Sequence, residues 1–176
     1  LPGSAFAGGV DFLHRWGERE WAVRGFFGTS HVRGAPAAIL RIQENSNHYF
    51  QRPDAKWAEL DSTATHLTGA EWRVYLERQR GEHWTGGVWL GEVSPEFAIN
   101  DVGFSRDPES MNLGGRITYR EITPGDVLRS YRINFFTTRD WSHDALADPW
   151  SGDSWDDARI QGRFRLSADL ELLNFW

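Results

Sequence analysis

From Ala158 to Leu172 the chain alternates without interruption between apolar and polar side chains. Ala158, Ile160, Gly162, Phe164, Leu166, Ala168, Leu170 and Leu172 have one parity. Arg159, Gln161, Arg163, Arg165, Ser167, Asp169 and Glu171 have the other. A period of two is the signature of an extended strand with two unlike faces. Fifteen such residues span roughly 50 Å at ~3.3 Å per residue, whereas a globular strand commonly has about 5–6 residues. A strand this long, apolar on one side and charged on the other, suits a tilted barrel strand that crosses a bilayer and continues beyond it.

Six further stretches read the same way, about seven in all, and no long pattern has the helical period of 3.6. They run from about Ala5 to Trp16, Trp21 to Arg33, Thr65 to Arg78, His83 to Val93, Asn112 to Ile122 and Val127 to Arg139. In the first, Val10, Phe12, His14 and Trp16 oppose Asp11, Leu13 and Arg15. The stretch from His83 is glycine-rich, which leaves its facing open. The joins are strictly unequal. Gly17–Glu20, the region around Arg80-Gly81-Glu82, and Thr123-Pro124-Gly125-Asp126 are short and turn-forming. Gly34 to Thr63, Ser94 to Met111 and Asp140 to Asp157 are long. Short and long joins alternate, so an up-and-down sheet carries every tight turn at one end and every long loop at the other. Outer-membrane barrels have this asymmetry.

On this reading the apolar parity meets lipid and the charged parity faces a lumen. There, Arg24, Arg73, Arg116, Arg120, Arg132, Arg163 and Arg165 are expected to pair with Asp11, Glu71, Glu77, Asp169 and Glu171. Trp16, Trp21, Trp72, Trp84, Trp89 and Trp141 fall near strand ends, where an aromatic girdle is expected. The content of 10 Trp, 11 Phe and 18 Gly suits strands, tight turns and such belts. Both ends fall close to or inside strand-like sequence. The expectation is therefore that residues 1–176 are a single domain, part of a larger barrel whose remaining strands lie outside this chain.

Several function classes recede. The net charge of -6 leaves no basic face for nucleic acid, whose phosphates need one. With no cysteine there is no disulfide, thiolate nucleophile or sulfur-ligated metal. His14, His31, His48, His66, His83 and His143 are scattered, without zinc spacing or a triad. No phosphate-binding glycine loop precedes a helix. Gly8-Gly9, Gly86-Gly87 and Gly114-Gly115 fall inside strands, where they relieve curvature or admit a stacked side chain.

What chemistry there is lies in the long loops. Glu96, Asp101 and Asp107 are carboxylates of the type glycoside hydrolysis uses in pairs, but no spacing fixes their separation. No residue is assigned as catalytic. Arg52 and Asp54 flank Pro53, a local ion pair that stiffens the loop or a ligand contact. Asn100 and Asp101, followed by Gly103, suit a side-chain-capped turn. Asp140, Asp144, Asp148, Asp153, Asp156 and Asp157 make the third loop acidic. Calcium takes six to eight oxygens, but the spacing lacks the twelve-residue loop signature, and no metal or cofactor is assigned. Trp150 and Trp155 in the same loop are placed to stack on sugar rings or to plug a barrel mouth.

Two loop motifs, Asn47-His48-Tyr49-Phe50-Gln51-Arg52-Pro53-Asp54-Ala55 and Ser94-Pro95-Glu96-Phe97-Ala98-Ile99-Asn100-Asp101-Val102-Gly103-Phe104, carry a resemblance. So do the Gly8–Phe12 opening and the Leu173-Asn174-Phe175-Trp176 close. Together they resemble a family of large bacterial envelope proteins. These have a family 9 carbohydrate-binding-like module near the N-terminus and a C-terminal barrel domain of unknown function. The resemblance covers nearly the whole chain. It implies an outer-membrane location and a neighbouring module outside this chain, and it associates the barrel with glycans without assigning an activity. The expected function is a transport, channel or surface-binding role at the bacterial outer membrane, with the lipid bilayer as partner and carbohydrate as a candidate ligand. The alternatives are a soluble carbohydrate-binding β-barrel or sandwich, and an outer-membrane hydrolase using acidic loop residues.

Overall fold

The computed structural model describes residues 3–45, 48, 50, 59–99, 110–146 and 148–174. Seven strands form one antiparallel sheet in chain order: β1 (Ser4–Trp16), β2 (Trp21–Arg33), β3 (His66–Arg78), β4 (Trp84–Val93), β5 (Ser110–Glu121), β6 (Leu128–Trp141) and β7 (Arg159–Leu172). The chain is all-β and up-and-down, as the period-two stretches predict, and the sheet is open between β1 and β7. The short joins β1–β2, β3–β4 and β5–β6 lie at one end and the long ones at the other.

Register runs unbroken from β1 to β6, so one parity stays on one face throughout. Shifts occur only between β6 and β7, at Leu128/Ser130 and Asp140/Trp141. The register settles the face of β4. Val88 lies between Leu76 and Gly115, on the apolar side, and Trp89 lies between Tyr75 and Gly114, on the polar side. The first turn is tight enough to drive Gly17, Glu18 and Arg19 to φ of 57°, 55° and 67°. Only the glycine adopts this region without steric penalty.

Short helices lie within the long loops, and the period-two reading does not contain them. α1 (Pro36–Gln43) begins with proline at its first turn, where the missing N–H costs nothing, and continues through good helix formers. Its eight residues bury Ile39 and Gln43. The third loop holds a 3-10 turn at His143–Leu146 and α2 (Gly152–Asp157). The compact core is at the long-loop end, where Ile39 of α1, Phe50 and Ala98 pack on Val32 and Leu67 of the sheet.

Candidate functional site

The apolar face is open across the sheet. Val10, Phe27, Leu76, Ile117 and Leu166 share it, and Val10, Val88 and Phe164 are 71%, 54% and 77% exposed. A hollow of about 500 Å³ lies between Trp21 and Trp84, where Gly86 and Gly115 contribute no side chain. Soluble monomers seldom present a contiguous apolar surface beyond a few hundred Å².

Aromatic rings border this face at both ends. At the short-turn end Trp16 stacks on Trp21 at 6.4 Å. Tyr119 meets Trp84 at 4.8 Å and Tyr131 at 5.8 Å. At the loop end Trp72 donates from Nε1 to Glu92 at 2.8 Å, and His143 Nε2 meets the other oxygen of Glu92 at 2.8 Å. Trp141 lies in the same row as Glu92 and packs edge-on against Trp155 of α2 at 5.3 Å. The charged side chains of this face gather near the two borders. Glu92 and Arg139 lie at the loop end, and Arg78 and Glu121 at the turn end. Arg78 pairs with Glu20 at 2.5 Å with its guanidinium 5.9 Å from the Trp21 ring. Trp141 is ten residue steps along β6 from Tyr131, roughly 33 Å along the strand at ~3.3 Å per residue.

Of the tryptophans expected near strand ends, Trp16, Trp21, Trp84 and Trp141 lie there on the apolar face, Trp72 is on that face at the middle of β3, and Trp89 is corrected. Trp89 is on the polar face at mid-sheet. Its Nε1 donates to Asn112 Oδ1 at 2.6 Å and its ring lies 5.7 Å from Phe136. The ring covers Gly114, where any Cβ would collide with it, so this glycine admits a stacked side chain. Tyr119 and Tyr131 take the border role that a search for tryptophan alone overlooks.

The polar face is organised by a few acceptors. Glu77, 9% exposed, takes Arg24 Nε at 3.1 Å and Arg116 Nη2 at 3.3 Å, and the Arg24 guanidinium lies 3.6 Å from the Tyr75 ring centroid. Asp140 accepts from Asn112 and, at 2.7 Å, from Gln161. Of the arginines expected to meet these carboxylates, Arg24 and Arg116 do so, both at Glu77. Among the described residues Arg132, Arg163 and Arg165 make no ion pair, and the buried Arg73 Nε has no hydrogen-bond partner. Arg120 instead donates to the backbone carbonyls of Glu82 and Gly81 at 3.4 and 3.3 Å.

The long loops cap the polar face at their end of the sheet. Ala98 N donates to Ser30 Oγ at 2.8 Å, and a Cβ on Gly69 would strike the backbone of Phe97, so the second loop lies directly on β3. His48, 8% exposed, donates from Nδ1 to the Pro95 carbonyl at 3.0 Å, tying the first loop to the second. Burial holds its pKa below the ordinary imidazole value, against the smaller opposing effects of the Pro95 bond and the nearby Glu96 carboxylate. The buried Gln43 amide pairs twice with the backbone of Asp61, at 3.0 and 2.8 Å. Thr63 donates from its hydroxyl and its N–H to the Asp61 carboxylate, which lowers the pKa of that carboxylate.

Of the residues singled out from sequence, Arg52, Asp54, Asn100, Asp101 and Asp107 lie outside the described residues. Trp150 is 95% exposed. Trp155 donates from Nε1 to the Pro149 carbonyl at 3.0 Å and covers Trp141 at the border of the apolar face. Among the described residues no three His, Asp or Glu side chains converge in a way that suits a metal ion, the acidic third loop included. No helix among them is long and apolar enough to cross a membrane, a fact that bears on helices alone.

A family model described as "Domain of unknown function (DUF5916)" matches residues 28–148. No curated protein and no solved structure matches the chain.

Proposed function

The chain belongs to this DUF5916 family of unknown function, and from that premise and the physics of its sheet we propose that it forms part of a transmembrane β-barrel of the bacterial outer membrane. The observation that carries the reading is the apolar face, whose charges gather near two aromatic borders. The roughly 33 Å of β6 between those borders becomes roughly 25 Å of height at a strand tilt near 40°, the thickness of the lipid-facing band of such barrels. Tryptophan and tyrosine favour the headgroup level, where one side of the ring is apolar and the other wet. Arg139 and Glu92, close to a border, reach polar surroundings at little cost. The polar face then lines the interior and the long loops close over it from outside. The outer edges of β1 and β7 pair with further strands, because an unpaired edge in hydrocarbon leaves backbone groups unsatisfied.

The role this supports is transport, a channel, or binding at the cell surface. A link to glycans rests on Trp150, whose ring is almost wholly exposed on the third loop and is of the kind that stacks on sugars.

The test is gel migration of the full-length protein, folded in detergent or vesicles, with and without heating, together with trypsin access on intact cells. A heat-dependent shift is expected, with cleavage confined to the first two long loops, at Arg41, Lys56 and Arg106. A water-soluble protein with no shift, or cleavage at Arg19 or Arg80 in the short turns from outside, overturns the reading and favours a soluble sugar-binding sheet.

A further inference from the structure

The polar face is not electrically balanced. Over β5 to β7 it carries Arg116, Arg120, Arg132, Arg163 and Arg165 against Asp140, Asp169 and Glu171, a local excess of positive charge in a chain of net charge -6. The carboxylates present offset it only in part: Glu77 of β3 holds Arg116, and Asp169 lies opposite Arg132 in register without forming an ion pair with it. Asp140 is occupied by Asn112 and Gln161, Glu171 by Ser130 at 2.9 Å and Arg129 at 3.7 Å, and Asp169 receives Asn134 at 3.4 Å. Arg120 and Arg132 lie directly opposite each other in register, an arrangement of like charges that destabilises a sheet. Arg120 is drawn toward the turn carbonyls of Gly81 and Glu82, and Arg132 makes no ion pair among the described residues. Beside them is a hollow of about 600 Å³ whose lining includes Arg116, Arg120, Arg132, Thr118 and Asn134, with Glu77, the carboxylate that Arg24 and Arg116 share, on its β3 side.

We propose that this hollow is a binding site for an oxyanion, the phosphate or carboxylate group of a small solute that enters the interior. The inference rests on the barrel reading in so far as the polar face is that interior. Guanidinium groups present paired donors that match the oxygen spacing of phosphate and carboxylate. Rings of arginine are also the means by which pores favour anions. An anion between Arg120 and Arg132 relieves the repulsion between them, so the destabilising register becomes the reason for affinity.

The experiment is calorimetric titration of inorganic pyrophosphate into the full-length protein folded in neutral detergent at low salt. Saturable binding that weakens as salt rises is expected, at least tenfold weaker in Arg120→Gln/Arg132→Gln and unchanged in Arg139→Gln, whose side chain is on the apolar face. Arg132→Lys keeps the charge but loses the fork, and is expected to fall between wild type and the double variant. Loss of an opposed like-charge pair favours folding of the double variant, and its heat-dependent gel shift reports that directly. No pyrophosphate binding by the folded protein, or equal affinity in the double variant, overturns the site. A heat-shifting barrel without binding leaves the membrane reading standing and removes this one. A water-soluble protein that binds pyrophosphate through Arg120 and Arg132 does the reverse.

Discussion

The two faces of this sheet are built from the same seven strands, yet they are held by different physics. On the apolar face a residue matters for what it is: Val88 and Phe164 are largely exposed and make no specific bond that another aliphatic or aromatic side chain would not replace. On the polar face a residue matters for whom it meets, as Glu77 does between Arg24 and Arg116, or Asn112 between Trp89 and Asp140. The first face tolerates substitution within a class and rejects charge. The second tolerates charge and rejects loss of a partner.

The sharpest way to break this contrast is to move a charge across the sheet. Val88→Arg, near the middle of the apolar face, is expected to lower folding stability in vesicles by about 2–4 kcal/mol. Ser167→Arg on the polar face is expected to shift it by no more than about 0.5 kcal/mol. Urea unfolding followed by tryptophan fluorescence reads both, and equal losses would abolish the distinction between the faces. Glycines make the next test. Gly69→Ala pushes a methyl into the backbone of Phe97 and is expected to cost about 1–3 kcal/mol and to open the 94–98 segment to protease, whereas Gly8→Ala meets open space and should do neither.

The polar face has its own test in Glu77→Gln, which removes the charge shared by two arginines. Those arginines are 44% and 61% exposed, so the loss is discounted from that of a buried pair to about 1–2 kcal/mol. The smallest effect belongs to the loop cap. His48 has a folded pKa below its unfolded value, so the unfolded loop takes up the proton more readily. The stability that neutral His48 contributes is present above the ordinary imidazole pKa of about 6.5 and is lost as pH falls from there toward the folded pKa. The protection factors of the Ala98 and Phe97 amides, corrected for the intrinsic exchange rate at each pH, are expected to fall below about pH 6.5 in wild type and to lose that dependence in His48→Gln.

How much of this is legible in the sequence follows from the range of each interaction. Strand limits read from alternation agree closely with the structure. The second stretch, Trp21–Arg33, is identical to β2, because a period of two is a local property that lipid or core imposes residue by residue. The alternation of short and long joins is likewise visible. Face assignment fails where alternation is erased by glycine: in β4, Gly86, Gly87 and Gly91 carry no preference, and only pairing with β3 and β5 reveals that Trp89 is on the polar side. α1 lies below the length at which helical period is distinguishable, although Pro36 ahead of Ala37-Ala38 was a usable signal. The choice of Glu77 as the partner of two arginines depends on which strands adjoin, which charge counting does not contain. The surplus of arginine along β5 to β7 was visible in the alternation, but its lack of partners was not.

Each strand here has its predecessor and successor in the chain as its neighbours in the sheet. No connection passes over another, so no segment must wait for a distant one before it can dock. Such a sheet grows by repetition. Adding or removing one up-and-down pair changes the width of the sheet and leaves every other register as it was. Width is then adjustable in evolution without redesign, while the loops at one end are free to diversify independently of the wall that carries them.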